Sequence, residues 1–360
     1  HLLGLADRTQ DSALLLEAYM RLGLPLYMQG ELVRALGYLE QGLKLYDVQQ
    51  HRTLAFRYGQ DPGVMGYGYT ALVLWGLGYP EQAQKRVTEG LRLAQELAHP
   101  NTLAYAWYMA AAHGVLRREE SATHKYADDL MTLATEREFP HWLPRGAVYR
   151  GWAVAVQGHL DKGIREMHEG ITASRKMGAE TWQPYFRALL ADLYSKKGQP
   201  ETGLALVTEA LLMMDKTRER IAESELYRLK GELLLAQEDK EESQKSKGKA
   251  QKAKVEAGGW GLGASSASPQ ASSLKFPVSR GATQEAERCF LKAIAIAKHQ
   301  HAKSFELRAA TSLAHLWQRQ GKQHAARNTL SEIYGWFTEG FDTKDLQEAK
   351  TLLDSLCSPE

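Results

Sequence analysis

The feature that most constrains this 360-residue chain is a recurring spacing of small residues. A small residue is followed seven positions later by Gly and, five positions further on, by another Ala or Gly, as in Gly151, Gly158 and Gly163. From Gly78 to Gly198 the middle position recurs every 40 residues. Such a period indicates stacked units, each of which buries its apolar face on its neighbours. The other copies, one of which departs from the pattern, are Gly23/Gly30/Ala35, Ala71/Gly78/Ala83, Ala111/Arg118/Thr123, Ala191/Gly198/Gly203 and Ala314/Gly321/Ala326.

Each position in this frame has a physical role in a helical hairpin. The first small residue lets a second helix cross closely, and the Gly ends the first helix, where a left-handed backbone is common. Between these marks apolar residues such as Leu204, Val207 and Leu211 fall at helical spacing. The sequence therefore predicts an all-α fold, a right-handed α-solenoid of tetratricopeptide-like helical hairpins with a period of about 40 residues. A HEAT-type stack repeats at a similar length and is the alternative.

The step of 40 residues also predicts where the units begin and end. Repeat six fits the frame only if 43 residues are inserted between its two helices. Leu346, Ala349 and Leu352 share one helical face after a break at Gly340, which indicates a helix that caps the last repeat. The predicted segments are the end of a preceding helix (1–11), repeats one to five with the first helix of repeat six (12–237), the insert (238–281), the second helix of repeat six with repeat seven (282–340), and the capping helix (341–360).

The inserted segment has a composition unlike that of the repeats. It opens with a tract in which Lys and Glu nearly cancel, and it continues through Gly258-Gly259 into a run of Ala and Ser. Such a composition buries too little apolar surface to offset the entropy lost on ordering. We therefore predict a disordered low-complexity linker rather than a nucleic-acid-binding arm.

Composition and motifs point away from catalysis by this chain. The net charge is only +2, so there is no overall attraction to nucleic acid or to an anionic membrane. A G-x-x-x-x-G-K-[ST] phosphate loop is absent, and His168-Glu169 is not followed by a second zinc ligand because Thr172 occupies that position. Cys289 and Cys357 belong to no zinc or nucleophile motif. The sequence predicts a cytoplasmic, non-enzymatic chain with no catalytic, cofactor-binding or metal-binding residue and no nucleic-acid or membrane partner.

The remaining candidate site is the concave groove that the first helices of the hairpins line in a tetratricopeptide stack. Aromatic and Arg side chains are common anchors for a bound chain, so the predicted partner is a protein or peptide. A deep apolar pocket between Tyr67, Trp75, Tyr105 and Tyr108 would instead favour a small-molecule effector. The candidate binding residues are Tyr105, Tyr108, Arg145, Trp152, Tyr185 and Arg228, with Asp192, Glu232, Arg308 and Arg319 on the same side.

Three stretches carry a more specific resemblance. They are YD-x-QQHR-x-LAF-x-YGQDPG at 46–63, ELYRLKGELL at 225–234, and IYGWFTEGFD with DLQEAK at 333–350. Together they resemble the C-terminal repeat region of large bacterial proteins that join a class III adenylate/guanylate cyclase, or sometimes a protein kinase, to an AAA-type ATPase module. The resemblance implies that the enzymatic domains lie upstream of this chain. It also implies a scaffold or sensor that regulates the upstream enzyme, with those domains as possible intramolecular partners.

Overall fold

The computed structural model describes residues 11–257 and 280–357, with side chains described for 11–245 and 281–357. Within this part of the chain there are 17 helices and no strand. In chain order the helices are α1 (Ser12–Met28), α2 (Leu32–Leu45), α3 (Val48–His51), α4 (Leu54–Tyr58), α5 (Pro62–Leu77), α6 (Pro80–Leu97), α7 (Pro100–Leu116), α8 (Glu120–Glu136), α9 (Trp142–Val156), α10 (Leu160–Lys176), α11 (Gln183–Lys196), α12 (Pro200–Thr217), α13 (Glu223–Ala257), α14 (Arg280–His299), α15 (Lys303–Arg319), α16 (Gln323–Tyr334) and α17 (Lys344–Cys357).

The long helices pack as seven consecutive hairpins. These are α1–α2, α5–α6, α7–α8, α9–α10, α11–α12, α13–α14 and α15–α16, and α17 packs on the last pair. The short helices α3 and α4 lie in the segment where extra residues separate the first two hairpins. The all-α helical solenoid predicted from the spacing of small residues is confirmed.

The recurring small residues end helices and set their spacing. Gly78, Gly158 and Gly198 have φ angles of 94°, 104° and 74°, in the left-handed region that Gly adopts at little cost. At Gly151 of α9, a Cβ atom would lie 2.8 Å from the carbonyl oxygen of Gly163 in α10. The close crossing of α9 and α10 therefore requires a residue without a side chain at this position.

The first helix of each hairpin is the more buried member of the pair. In α5 every residue except Tyr67 is buried, whereas α6 buries one stripe that includes Ala83, Val87 and Gly90. The first helices also contact one another: α5 contacts α7, and α7 contacts α9. The inside of the solenoid is therefore built from first helices, and the second helices face outward.

The beginning of the predicted insert is helical rather than disordered. Helix α13 continues through residues 238–257, and α14 begins at the end of the predicted insert, at residue 280. Residues 258–279 of the predicted linker lie outside the described residues. Lys, Glu, Gln and Ala are strong helix formers, and Glu241 pairs with Lys245 one turn later at 3.8 Å. Low hydrophobicity therefore did not prevent helix formation here, because α13 extends a helix that is already packed at its N-terminal end.

Helix α13 pairs with α14 although the insertion separates them in sequence. The Ser224 hydroxyl donates a hydrogen bond to the Ala293 carbonyl oxygen at 2.9 Å, and the Lys292 ammonium donates to the Tyr227 hydroxyl at 2.6 Å. At Gly231 of α13 a Cβ atom would lie 2.5 Å from the Phe290 ring. The sixth hairpin is therefore formed by residues on either side of the insertion.

The C-terminal part of the solenoid returns to its second and third hairpins. The Ser304 hydroxyl donates to the Trp75 carbonyl oxygen, and the Trp75 and Phe305 rings meet edge to face with centroids 5.1 Å apart. The Glu339 carboxylate accepts hydrogen bonds from the first free backbone N–H groups of α6, at Glu81 (2.9 Å) and Gln82 (3.1 Å). The inner surface, expected from the sequence to be a groove, therefore lies between parts of the chain that contact each other across the solenoid.

Candidate functional site

The inner surface contains a cavity of about 480 Å³, which we call the central cavity. The first helices α9, α11, α13 and α15 contribute to its wall, together with the end of α7 and the capping helix α17. Its lining residues are Val115, Arg118, Trp152, Val156, Tyr185, Ala188, Leu189, Asp192, Lys196, Glu225, Arg228, Leu229, Glu232, Arg308, Thr311, Ser312, His315, Lys344, Asp345 and Glu348.

The charged groups on this wall are balanced and paired. Five basic side chains face five acidic ones, so the lining has no net charge when His315 is neutral. Arg228 binds the Glu225 carboxylate at 2.7 Å and also pairs with Glu232, which in turn accepts a hydrogen bond from the Ser312 hydroxyl at 2.8 Å. Because Arg228 and Glu225 are both largely buried, these pairs hold the side chains in defined positions.

A second set of ion pairs joins the cavity to the capping helix. Asp345 of α17 accepts from Arg308 at 2.8 Å and from Arg118 at 3.2 Å, and Arg118 also binds Glu348 at 2.6 Å. Arg308 donates a further hydrogen bond to the Leu116 carbonyl oxygen at 2.6 Å. These contacts close one side of the central cavity with charged groups from both halves of the chain.

Burial and neighbouring arginines shift the pKa values of two groups on the cavity wall. Burial alone would raise the pKa of Glu225, but the Arg228 guanidinium, aided by Arg308 and Arg118, outweighs burial and holds that pKa at about 2. Burial, with a contribution from the charge of Arg319, lowers the pKa of His315. At neutral pH the wall therefore offers a fixed carboxylate and a neutral imidazole.

An apolar wall faces these charges. Trp152 and Tyr185 are almost wholly buried, and Val156 and Leu189 extend the same surface. A wall that combines aromatic surface with fixed charges of both signs can bind a group that carries both charges and an apolar part. On this wall the Ser312 hydroxyl donates its hydrogen bond to the Glu232 carboxylate.

Three of the six predicted binding residues, Trp152, Tyr185 and Arg228, line the central cavity, and so do the accompanying Asp192, Glu232 and Arg308. Arg145 lies outside the cavity and is half-buried, with its guanidinium 5.2 Å from the Trp142 ring centre. Arg319 is exposed and pairs with Asp239 at 3.7 Å.

Tyr105 and Tyr108 do not line the cavity, because they belong to a packed aromatic cluster. Their ring centroids lie 6.1 Å and 5.5 Å from that of Trp142, and Tyr108 also lies 5.4 Å from Tyr149. The apolar pocket considered between Tyr67, Trp75, Tyr105 and Tyr108 is filled by the rings of this cluster. Trp75 itself borders a cavity of only about 10 Å³. Tyr105 and Tyr108 of the predicted groove are therefore part of the core.

The lining residues that the sequence analysis missed include four charged ones at or near the capping helix, Arg118, Lys344, Asp345 and Glu348. The sequence does contain an indication for Arg118, because this residue occupies the position of the frame that is Gly in the neighbouring repeats. Its φ is 60°, which costs a non-Gly residue roughly 1–2 kcal/mol. A bulky residue at a left-handed helix end indicates that its side chain has a role elsewhere, here at Asp345 and Glu348.

Two further observations concern the described residues only. Their side chains include no group of three or more His, Cys, Asp or Glu that is arranged to hold a metal ion. Their helices include none with both the length and the apolar character of a membrane span.

Comparison with known proteins supports the fold. No protein-family model matches the chain. An uncharacterised protein of Rhizobium meliloti (strain 1021) is 22% identical over 191 residues, covering 53% of this chain and 19% of that protein. The chain thus spans about a fifth of the length of this curated relative.

Among solved structures, the apo form of RapI matches with a TM-score of 0.50 and 11% identity, over 94% of this chain and 99% of RapI. A thermophilic TPR protein of Thermus thermophilus matches with a TM-score of 0.38 and 20% identity, over 56% of this chain and 92% of that protein. The likeness to RapI supports the all-α helical solenoid and concerns the fold alone.

Proposed function

We propose that this chain is a non-catalytic interaction and sensor module whose central cavity receives a segment of a protein partner or of another domain in the same polypeptide. The observation that carries the proposal is the lining of the cavity, where the Trp152 and Tyr185 rings face paired charges of both signs. A polypeptide segment offers the matching chemistry, because it combines an amide backbone with apolar and charged side chains.

The proposal extends to regulation of a nucleotide cyclase or ATPase within a longer protein. It is supported by the resemblance of residues 46–63, 225–234 and 333–350 to the repeat regions of such proteins. It is also compatible with a relative about five times longer than the matched region. A segment bound in the central cavity would compete with the internal pairs of Arg228 and Arg118, and it could thereby change how α17 packs.

Binding is tested with a library of short peptides, each carrying an acidic, a basic and an aromatic residue, added to the full chain. We expect Asp192→Asn and Trp152→Ala to weaken the selected peptide, the latter by about 2 kcal/mol or roughly 30-fold. Leu212→Ala is the matched control, because Leu212 is 61% exposed on α12 and away from the cavity. Equal losses from the control, or losses explained by a lower melting temperature, would contradict binding in the cavity.

Regulation is tested separately, in a longer protein that contains the upstream enzyme. Nucleotide cyclisation and ATP hydrolysis are measured with the chain present, with it deleted, and with Trp152→Ala. We expect deletion and Trp152→Ala to change the rate in the same direction and the isolated chain to turn over no ATP. A rate that is unaffected by both changes would refute the regulatory part and leave the binding result standing.

A small-molecule effector is the second candidate function, and the volume of the cavity favours it. The volume of about 480 Å³ falls within the range of about 300–1,000 Å³ that is typical of small-ligand pockets. The balanced lining would suit a zwitterion, so amino acids and dipeptides are the probes. A rise in melting temperature with a free amino acid, abolished by Asp192→Asn, would favour an effector over a protein segment.

A further inference from the structure

A second concave site lies on the outer face of the solenoid, between the second helices α10 and α12, with α11 as its floor. We call it the outer cleft, and its volume is about 510 Å³. Its lining includes Arg175 and Lys176 of α10, Arg187 and Leu190 of α11, and Leu206 and Glu209 of α12. It shares none of these residues with the central cavity, so it is a separate site.

The floor of the outer cleft holds a buried arginine that is incompletely paired. Arg187 is only 4% exposed, and its Nη1 donates to the Gln183 carbonyl oxygen at 3.2 Å and to the Gln183 side chain at 3.0 Å. Its Nη2 pairs with Glu209 at 2.9 Å, while its Nε has no hydrogen-bond partner. An unpartnered N–H on a buried charged group is costly, which indicates a site where the present partners do not fully satisfy the guanidinium.

The one acidic partner of Arg187 is itself half-exposed. The Glu209 side chain is 49% exposed, so an incoming oxyanion that replaced its charge could take its place at Nη2. The Gln183 bonds involve Nη1 and not Nη2. Arg187 is thus a pre-positioned donor, for which Glu209 acts as an internal competitor.

The rim of the outer cleft adds positive charge. Arg175 and Lys176 are exposed, and neither has an ion-pair partner among the described side chains. With Arg187 they make three cations against the single carboxylate of Glu209, in contrast to the balanced central cavity. His168 contributes little charge at neutral pH, since burial and then the charge of Arg187 lower its pKa. The outer cleft therefore attracts anions.

The apolar part of the lining narrows the class of ligand. Ile171, Leu190 and Leu206 border the same space, and the volume far exceeds that of an inorganic ion. We propose that the outer cleft binds an organic oxyanion, a carboxylate or a phosphate attached to an apolar or aromatic group. The oxyanion would bind Arg187 with support from Arg175 and Lys176, and the apolar group would pack against Leu206, which is half-buried, since Leu190 is only 1% exposed.

The proposal is tested by calorimetric titration of the full chain with phenyl phosphate and benzoate at constant chloride. Inorganic phosphate, acetate and uncharged benzyl alcohol are the comparison probes. We expect saturable one-site binding of at least one organic anion, weaker binding of the inorganic ion and acetate, and none of benzyl alcohol. The ranking of phenyl phosphate against benzoate identifies phosphate or carboxylate as the favoured group.

Three variants make the test specific. Arg175→Gln with Lys176→Gln should weaken binding about tenfold or more, whereas Glu209→Gln should strengthen it several-fold by removing the competing carboxylate. Arg165→Gln is the matched control, because Arg165 is exposed on α10 and does not line the cleft. These substitutions are at exposed positions, and melting temperatures check that each variant is folded.

Four results would overturn the proposal. The first is the absence of saturable binding at millimolar concentrations of both organic anions. The second is binding that Arg165→Gln weakens as much as the rim variant, which would indicate general charge attraction. The third is binding that Glu209→Gln weakens, which would show that Glu209 does not compete with the anion. If the rim substitutions lower the melting temperature and leave binding unchanged, Arg175 and Lys176 serve only to complement the carboxyl end of α10, and the proposal again fails.

Discussion

Replacing Gly151 by Ala is expected to destabilise the solenoid, although Ala normally stabilises a helix. A Cβ at Gly151 would lie 2.8 Å from the Gly163 carbonyl oxygen and 2.8 Å from the backbone nitrogen of Met167. Backbone atoms cannot move aside as a flexible side chain can, so overpacking costs roughly 2–3 kcal/mol. Ala gains about 1 kcal/mol over Gly in a helix interior, which leaves a net loss of about 1–2 kcal/mol in the free energy of unfolding.

Gly37→Ala is the matched control for this prediction. Gly37 lies within α2, is exposed, and would have no heavy atom within 4 Å of an added Cβ. This variant should gain about 0.5–1 kcal/mol, because only the helix propensity changes. Urea unfolding followed by far-ultraviolet circular dichroism measures both. If Gly151→Ala were as stable as the parent while Gly37→Ala gained stability, the close crossing of α9 and α10 would not limit the size of this residue.

Three further predictions concern contacts between distant parts of the chain. Arg118→Gly should be more stable than Arg118→Ala by about 1 kcal/mol in urea unfolding, since Gly adopts the left-handed backbone freely while both lose the same ion pairs; equal stabilities would contradict this. Glu339→Ala should cost about 1 kcal/mol in the same assay because it removes the cap of α6, whereas Glu332→Ala, at an exposed position without such bonds, should be neutral. Burial raises the pKa of Glu219 from 4.5 to about 7, so the fold loses stability as the pH rises through this interval. Glu219→Gln should therefore raise the melting temperature above pH 7 and change it little below pH 4.5; an equal gain at both would refute a role for its ionisation.

The order of the helices and the positions of their ends followed from local pattern. Close helix crossings within one hairpin are indicated by small residues such as Gly151 and Gly163. Helix ends are indicated by Gly at positions such as Gly158. Both features involve neighbouring parts of the chain. Local constraints of this kind are written into a sequence as fixed spacings. The helical extension of α13 through Ala257 was not predicted from the pattern. Its residues have strong helix propensity but low hydrophobicity, and the prediction relied on hydrophobicity.

The candidate site was only partly predictable, because local spacing gives the face of a helix on which a residue lies and not what packs over it. Counting in the frame placed Trp152, Tyr185 and Arg228 on the inner face, where they line the central cavity. It could not separate them from Tyr105 and Tyr108, because aromatic residues at equivalent frame positions become core or lining according to what packs over them.

By itself, the sequence determined the all-α repeat, its hairpins and the absence of familiar catalytic motifs. Only the tertiary structure decided that the solenoid closes on itself, bringing Arg118 to Asp345 and Glu339 to the start of α6. Closure depends on the small rotation between successive hairpins, summed over the whole stack. No single spacing records that sum, so a solenoid whose ends meet and one whose ends stay apart share the same sequence pattern.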